Sequence, residues 1–440
     1  MKLVDREVFK SIIAYVLLAC MCIISSCSNE PIIKYGVEVV ETEESDAIEF
    51  SFEKKVDTEQ KSKVVTKKER DFQISEEITN LISKRTRPAR KIRGVYLPAY
   101  VVGKEERFNP IFENLTKSCI NAIVIDVKDE LGRITFNIDN DYVKSLGTTR
   151  EAQIKDIDAF VKRCKDNNIY LIARISSFFD KYVNKNTSHF FLKRTDGKYY
   201  KDYKGWYWLN PYNEEVKKYL IEIGKGCAKA GFDEVQYDYF RFSGESNLRK
   251  VEFPDEMTKG KSRIEIITEL AQDIYKELIP ENIYVSIDVF GAIMNSYGDQ
   301  DSIGQDYITL LKYTDYLCPM IYPSHYANKT FGLDVPDLKP YESIKSALDT
   351  SDKTISRVKD DYTHFGIVRP WLQGFTANYI PEYRTYGVEE YKEQIKAVEE
   401  SGGEEWLFWN PGGVYKWEAF MDESKSESTE NTKEETTVSQ

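Results

Sequence analysis

From residue 92 to residue 421 the chain alternates between two periods. Short runs rich in β-branched and aromatic residues come first: GVYLPAY (94–100), NAIVIDVKD (121–129), IYLIARISSF (169–178), FDEVQYDYFRF (232–242), IYVSIDVFGA (283–292), TDYLCPMIYP (314–323), RPWLQGF (369–375) and EEWLFWNP (404–411). Between them lie longer stretches with apolar residues at helical spacing, such as 151–167, 213–230, 262–279 and 388–401. Helix exits recur just before strands, in KAGFDEV, ESGGEEW and KDNNIYL. Strand–helix alternation predicts a parallel sheet, because parallel neighbours are joined by crossovers rather than tight turns. Eight repeats predict an α/β fold of the (β/α)8 TIM-barrel type with insertions. An open doubly wound sheet is the alternative. No G-x-G-x-x-G follows the first run, which argues against a dinucleotide site.

Within the fourth run the alternation has a period of two. Val235, Tyr237 and Tyr239 fall on one face, and Glu234, Gln236 and Asp238 on the other. In a barrel the face toward the helices is apolar, so the polar row points into the lumen. Its last member, Asp238, then sits at the carboxyl-end mouth, where barrel enzymes keep their chemistry. Other runs end alike. The second offers Asp126 and Lys128 on one face, then Asp129. The third offers Arg174 and Ser176, and the fifth Ser286 and Asp288. Tyr322, Ser324 and His325 follow the sixth, Trp371 and Gln373 the seventh, and Trp409 and Asn410 the eighth. Each also has a plain structural reading: a cap or loop hydrogen-bonder for Asp126 and Asp129, a salt-bridge partner for Arg174 and Arg241, a structural hydrogen-bonder for His325.

Composition narrows the partners. A net charge of −12 argues against nucleic acid, and 30 Tyr, 22 Phe and 6 Trp supply rings that suit sugar faces as well as a core. Cys119, Cys164, Cys227 and Cys318 form no C-x-x-C pair, so neither a zinc site nor a disulfide framework is expected. Residues 11–26, SIIAYVLLACMCIISS, read as the apolar region of a signal peptide. Ile24, Ser25 and Ser26 before Cys27 form a lipoprotein box, so 1–27 is expected to be a signal and anchor with Cys27 lipidated. An uncleaved amino-terminal anchor is the alternative. Either places the protein outside the cytoplasmic membrane and holds it there. Residues 28–91 read as a mostly flexible stalk with a short helix within 75–85, residues 92–421 as the barrel, and 422–440 as a disordered acidic tail.

Paired carboxylates under aromatic walls suit glycoside hydrolysis, in which one ionised carboxylate attacks or stabilises the anomeric centre and a second, protonated one serves the leaving oxygen. The motifs GVYLPAY, NAIVIDVKDELGRITF, IYLIARISSFFD, WLNPY, GFDEVQYDYFRF, SIDVFG, SIGQD, DYLCPMIYPSHY, FGLDVPDLKPYE and RPWLQGF resemble a bacterial glycosyl hydrolase family of the TIM-barrel glycoside hydrolase superfamily, long catalogued as a domain of unknown function. The resemblance spans about residues 92–415 and implies the barrel and a carbohydrate-active role. In related barrels that cleave α-linked sugars the nucleophile is an Asp ending strand four, an analogy that falls on Asp238. The chain departs from the family pattern at Ser243, where proline is usual, and in RISSFFD, where bulkier apolar residues are usual.

The resulting assignment is Asp238 as nucleophile or stabiliser, Asp288 as acid/base and Asp126 as reserve acid. Lys128, Asp129, Arg174, Glu234, Gln236, Arg241, Tyr322, His325, Trp371, Gln373, Trp409 and Asn410 are expected to contact substrate. The substrate is expected to be an envelope or extracellular polysaccharide or oligosaccharide, bound by a monomer without a cofactor. Three other readings compete: a non-catalytic carbohydrate-binding surface lipoprotein, a Schiff-base enzyme using Lys128, and a divalent ion on Asp126, Asp129, Asp238 and Asp288.

Overall fold

The structure is a computed structural model that describes residues 76–84, 90–294, 296–358 and 364–421. Eight parallel strands run in chain order: β1 (Arg93–Leu97), β2 (Ala122–Lys128), β3 (Tyr170–Ser176), β4 (Glu234–Asp238), β5 (Tyr284–Phe290), β6 (Tyr316–Ile321), β7 (Trp371–Gln373) and β8 (Trp406–Trp409). A leading piece of the seventh, Ile367–Val368, pairs with β6 and is cut from β7 by Pro370, which has no N–H to give the ladder. β7 pairs with both β6 and β8, and β8 pairs with β1, so the sheet closes. Closure rules out the open doubly wound alternative. The apolar run at 11–26 with Cys27, the rest of the stalk apart from 76–84 and 90–91, and the acidic tail lie outside the described residues. No helix among the described residues is long and apolar enough to cross a membrane.

Helices form where the sequence supplies both a stripe and its ends. α1 (Glu214–Ala230) starts on an Asn213 side chain that accepts from the Glu215 N–H, and stops at Gly231, whose φ of +93° is left-handed. That glycine turns the chain into β4. α2 (Arg263–Leu278) carries a capping box between Ser262 and Glu265. The short helix expected within 75–85 spans Glu76–Ser83. It is docked on the barrel, with Ile78 buried and Glu77 paired to Lys276 at 2.8 Å.

Strand alternation separates two cores. Val235, Tyr237, Ile287 and Leu317 join the layer under the helices. Tyr96, Val124, Tyr170, Ile172, Tyr284, Tyr316, Cys318 and Trp371 fill the lumen. Glu234 and Gln236 share that lumen, and both are fully buried. A buried charge needs partners. Glu234 accepts from Ser286 Oγ at 2.5 Å and from the Tyr170 hydroxyl at 3.1 Å, and it is ion-paired with Arg369. The Arg369 guanidinium lies over the Tyr316 ring, 4.0 Å from its centroid, and has Glu405 as a second acid at 3.7 Å. Gln236 donates to Cys318 Sγ at 3.5 Å. Both side chains therefore belong to the packed floor and not to the mouth.

One strand breaks its alternation. Asp126 registers with Arg174, yet Lys128 registers with Ile175, so β2 bulges at Val127. The bulge takes Lys128 off the face it was expected to share with Asp126. Its ammonium is fully buried, donates to the Ser176 carbonyl at 2.6 Å, and lies 3.5 Å from Asp180. Lys128 thus ties β2 to the two-stranded hairpin of Phe179–Asp180 and Tyr207–Trp208.

Arg369→Met leaves Glu234 buried and unpaired. It should lower unfolding free energy by about 3–5 kcal/mol, and adding Glu234→Gln should recover most of the loss. Chemical denaturation of the single and double variants measures both.

Candidate active site

The carboxyl ends of β2 to β5 deliver Asp126, Arg174, Asp238 and Asp288 to one place. Arg174, only 2% exposed, is the hub. Its Nη1 donates to Asp126 Oδ1 at 2.6 Å, and its Nε donates to Asp238 Oδ2 at 2.9 Å while Nη2 bonds the same oxygen. Glu130 stands 3.8 Å from Nη2. Burial works against the guanidinium's charge, and the carboxylates of Asp238 and Asp126 override it, holding its pKa well above the usual range.

Each acid then has its own surroundings. Asp126 also accepts from the Tyr96 hydroxyl at 2.5 Å, and burial pushes it up to about 6 against the pull of Arg174. Asp238 accepts the Tyr239 N–H on Oδ1 at 2.6 Å. Asp288 accepts the Trp371 indole N–H at 2.8 Å and has no cation paired with it among the described residues. Burial, then the negative charge of Asp238, raises its pKa well above the carboxylate range. The two acids are neighbours by register: Tyr237 pairs with Ile287, and Asp238 and Asp288 follow on adjacent strands. So one acid is bound by a guanidinium, while burial and that neighbour push the next toward its neutral form.

The chain after Asp238 departs from the simple alternation. Tyr239, expected to face the helices, has a left-handed φ of +50° and is half-buried beyond the strand end. Such a φ on a bulky residue is strained and occurs where the surroundings impose it. Arg241 N–H donates to the Tyr239 carbonyl at 2.9 Å, closing a tight turn that sends Phe240 into the core. Tyr239 stacks on Phe179 with centroids 4.5 Å apart, and Trp206 and Trp208 meet the same Phe179 edge-on at 5.2 and 5.4 Å. On the opposite side Trp409 stacks on Tyr96 at 4.1 Å, meets Trp371 edge-on at 5.7 Å, and has Arg174 over its face at 4.9 Å. Two aromatic walls therefore flank the acids.

Several expected contacts are occupied elsewhere. Asp129 accepts the N–H groups of Leu131 and Arg133 at 3.0 and 2.9 Å and pairs with the Arg133 guanidinium, closing its own loop. Gln373 accepts from Ser324 N and Oγ at 3.0 and 2.8 Å and donates to Asp337 at 3.0 Å, joining the loops after β6 and β7. Asn410 donates to the Gly374 carbonyl at 2.6 Å and accepts the Gly412 N–H at 2.9 Å. His325 shares a hydrogen bond with Ser324 at 3.1 Å and meets Tyr322 edge-on, and burial pushes its pKa down to about 4, so the ring is neutral. Tyr322 is buried at the rim of the lumen cluster.

Tyr96, Glu130 and Arg369 were not singled out as site residues. Tyr96 could have been found from the parity of GVYLP, which sets it in the lumen. Glu130 pairs with Lys181 at 2.7 Å. Among the described residues no group of three or more His, Cys, Asp or Glu side chains is placed to hold a metal ion, and the four described cysteines are free thiols. Ser243 accepts from the Tyr200 hydroxyl at 3.0 Å, tying the β4 loop to the insertion after β3.

Residues 94–415, which contain all four of Asp126, Arg174, Asp238 and Asp288, match a family described as "Putative glycosyl hydrolase domain". Among solved structures, the glycoside hydrolase domain of PgaB (BpsB) from Bordetella bronchiseptica has a similar fold, with a TM-score of 0.52 at 12% identity over 74% of this chain and 95% of that one. A hypothetical protein from Ruminiclostridium thermocellum is 31% identical over 44% of this chain and 97% of its own, with a TM-score of 0.40. The spore cortex-lytic enzyme SleL from Bacillus megaterium is 10% identical over 75% of this chain and 73% of its own, with a TM-score of 0.43. No curated protein sequence matches. With the family match covering the barrel from β1 to beyond β8, the chain belongs to this glycosyl hydrolase family.

Proposed function

We propose that the protein hydrolyses a glycosidic bond in a bacterial envelope or extracellular polysaccharide, with Asp238 as nucleophile and Asp288 as acid/base. The observation that carries this reading is a pair of acids on adjacent strands in unlike surroundings: Asp238 bound by the Arg174 guanidinium, and Asp288 buried, without a paired cation among the described residues and hydrogen-bonded to the Trp371 indole. In the first step the Asp288 carboxyl gives its proton to the leaving oxygen as the glycosidic bond breaks, and an Asp238 oxygen bonds to the anomeric carbon. In the second, Asp288, now ionised, takes a proton from water as the water oxygen displaces Asp238. Arg174 favours the anionic leaving state of Asp238 throughout. The site outside the membrane is inferred from the apolar run and Cys27 box, with lipid on Cys27 as the tether.

The full chain incubated with purified bacterial exopolysaccharides and wall glycans should release new reducing ends from one of them. Asp238→Asn should lower that rate by roughly 10³-fold or more, with a thermal melt close to wild type. Binding without new reducing ends would instead identify a glycan-binding module.

Two further measurements test the roles. With Asp288 as the acid, kcat/KM falls as pH rises through its raised pKa, so the basic limb lies well above the ordinary carboxylate range. Asp288→Asn should remove that limb and cost roughly 10²–10⁴-fold, least with an aryl leaving group that needs no proton. Stereochemistry separates Asp288 from Asp126. Adjacent parallel strands lie about 4.8 Å apart, which suits the ~5 Å spacing of retaining enzymes. Retention, read by proton NMR of the first product, is expected. Inversion would move the acid role to Asp126, which the width of the Arg174 guanidinium separates from Asp238.

A further inference from the structure

Three buried or nearly buried arginines line the lumen and its mouth, and two of them are paired with acids. Arg174 serves Asp126 and Asp238, and Arg369 serves Glu234 and Glu405. Arg241 is different. It is 8% exposed, and among the described residues its guanidinium makes one hydrogen bond, from Nη1 to the Phe242 carbonyl at 3.0 Å, and no ion pair. Glu245 feels its charge, but that carboxylate is engaged by the Tyr203 N–H at 2.6 Å. Lys181, the next cation at this wall, is committed to Glu130.

What surrounds Arg241 is aromatic. Its guanidinium carbon lies 4.3 Å from the centroid of Phe290, 5.1 Å from Trp208 and 5.4 Å from Tyr239. Such faces hold a guanidinium in place and offset part of the cost of burying its charge. They do not use its N–H groups, of which guanidinium has five in a fixed planar fork. No Arg241 nitrogen is among the buried side-chain atoms left without a partner in the described residues, so its unused donors reach the open space of the site, where a ligand can take them. The tight turn from Tyr239 to Arg241 sets this fork three residues beyond Asp238, on the wall whose rings stand ready for a sugar.

We propose that Arg241 is an anion subsite that receives a carboxylate substituent of the glycan, so that the substrate class is a uronic-acid-containing polysaccharide. The inference rests on the hydrolase reading for its sugar and on Arg241 for its charge. A flat carboxylate that meets the fork in its plane makes two parallel charge-assisted hydrogen bonds. The chain's net charge of −12 repels polyanions in general, so affinity for one must come from a local site.

The test is binding by the full chain at physiological salt, read by calorimetry. Alginate, polygalacturonate and hyaluronan are each compared with their carboxyl-reduced forms, which keep the backbone and lose the charge. Dextran sulfate serves as a sulfated control. At least one uronan should bind about tenfold to a hundredfold more tightly than its reduced partner. Arg241→Gln should erase that difference while leaving the reduced polymer's affinity unchanged, and Arg241→Lys should keep only part of it. Thermal melts verify both variants, and the lysine variant carries the test if the glutamine variant does not fold. The proposal is overturned if no uronan is preferred, if the preference survives in Arg241→Gln, or if dextran sulfate binds more tightly than any uronan in an Arg241-dependent way. Arg241-dependent uronan binding without new reducing ends would keep the subsite and reject hydrolysis, whereas cleavage of neutral glycans alone would do the reverse.

Discussion

The site turns on a single buried guanidinium. Arg174 lies between Asp126 and Asp238 with almost no access to water, and it decides how the negative charge at the mouth is distributed. Without it, three carboxyls from β2, β4 and β5 would share a poorly solvated space, and burial with mutual repulsion would disfavour ionising them together. With it, Asp238 has a cation bound to it, while burial and then the neighbouring Asp238 carboxylate discourage ionisation of Asp288. The asymmetry between two chemically identical side chains therefore comes from the burial of Asp288 and from one cation on β3 that reaches sideways to β4 and β2 but is not paired with Asp288. The Trp371 indole refines this by donating to Asp288, which orients the carboxyl without adding a positive charge.

The same economy recurs one level down. Glu234 and Arg369 face each other across the lumen from β4 and the break before β7, with Ser286 and Tyr170 completing the acid's hydrogen bonds. The charge of Arg369 reaches the mouth, where it opposes the burial that raises the Asp288 pKa. The floor pair also supplies register. A polar cluster satisfied only by partners from β3, β4, β5 and the seventh stave penalises any slip that would carry Glu234 into the apolar layer under the helices.

Period-two alternation made the barrel and the inward row of β4 legible in the sequence, because a closed sheet leaves no other place for Val235 and Tyr237 than beneath the helices. It also marked Asp238, Asp288 and Arg174 as lumen-facing strand ends. It failed where a local event breaks the period. The bulge at Val127 carries Lys128 away from Asp126, and nothing in IVIDVKD signals it, because its partners are the Ser176 carbonyl at the end of β3 and Asp180 in the hairpin. Tyr239 leaves its expected face for the same kind of reason: Phe179 stacks on it, and the turn holds Asp238. Arg369 lies 135 residues from Glu234 in the chain, so their pairing is visible only once the barrel has closed. Gln373 and Asn410 were placed at the right end of the barrel, but their hydrogen bonds are spent on neighbouring loops.

The turn after β4 joins chemistry to selectivity. Its strained first residue gives its N–H to Asp238, its buried second residue, Phe240, anchors it, and its last residue, Arg241, presents a cation to the groove. A left-handed Tyr239 persists only because the aromatic cluster and the core hold both sides of it. Loosening that cluster would shift the acid and the cation together. The hydroxyl of Ser243 matters here, because Tyr200 grips the chain at a point where a proline would have offered no donor or acceptor in its side chain. The insertion after β3 is thereby coupled to the tip of β4. In this barrel the aromatic wall around Phe179 and the strand that carries Asp238 are parts of one packed unit.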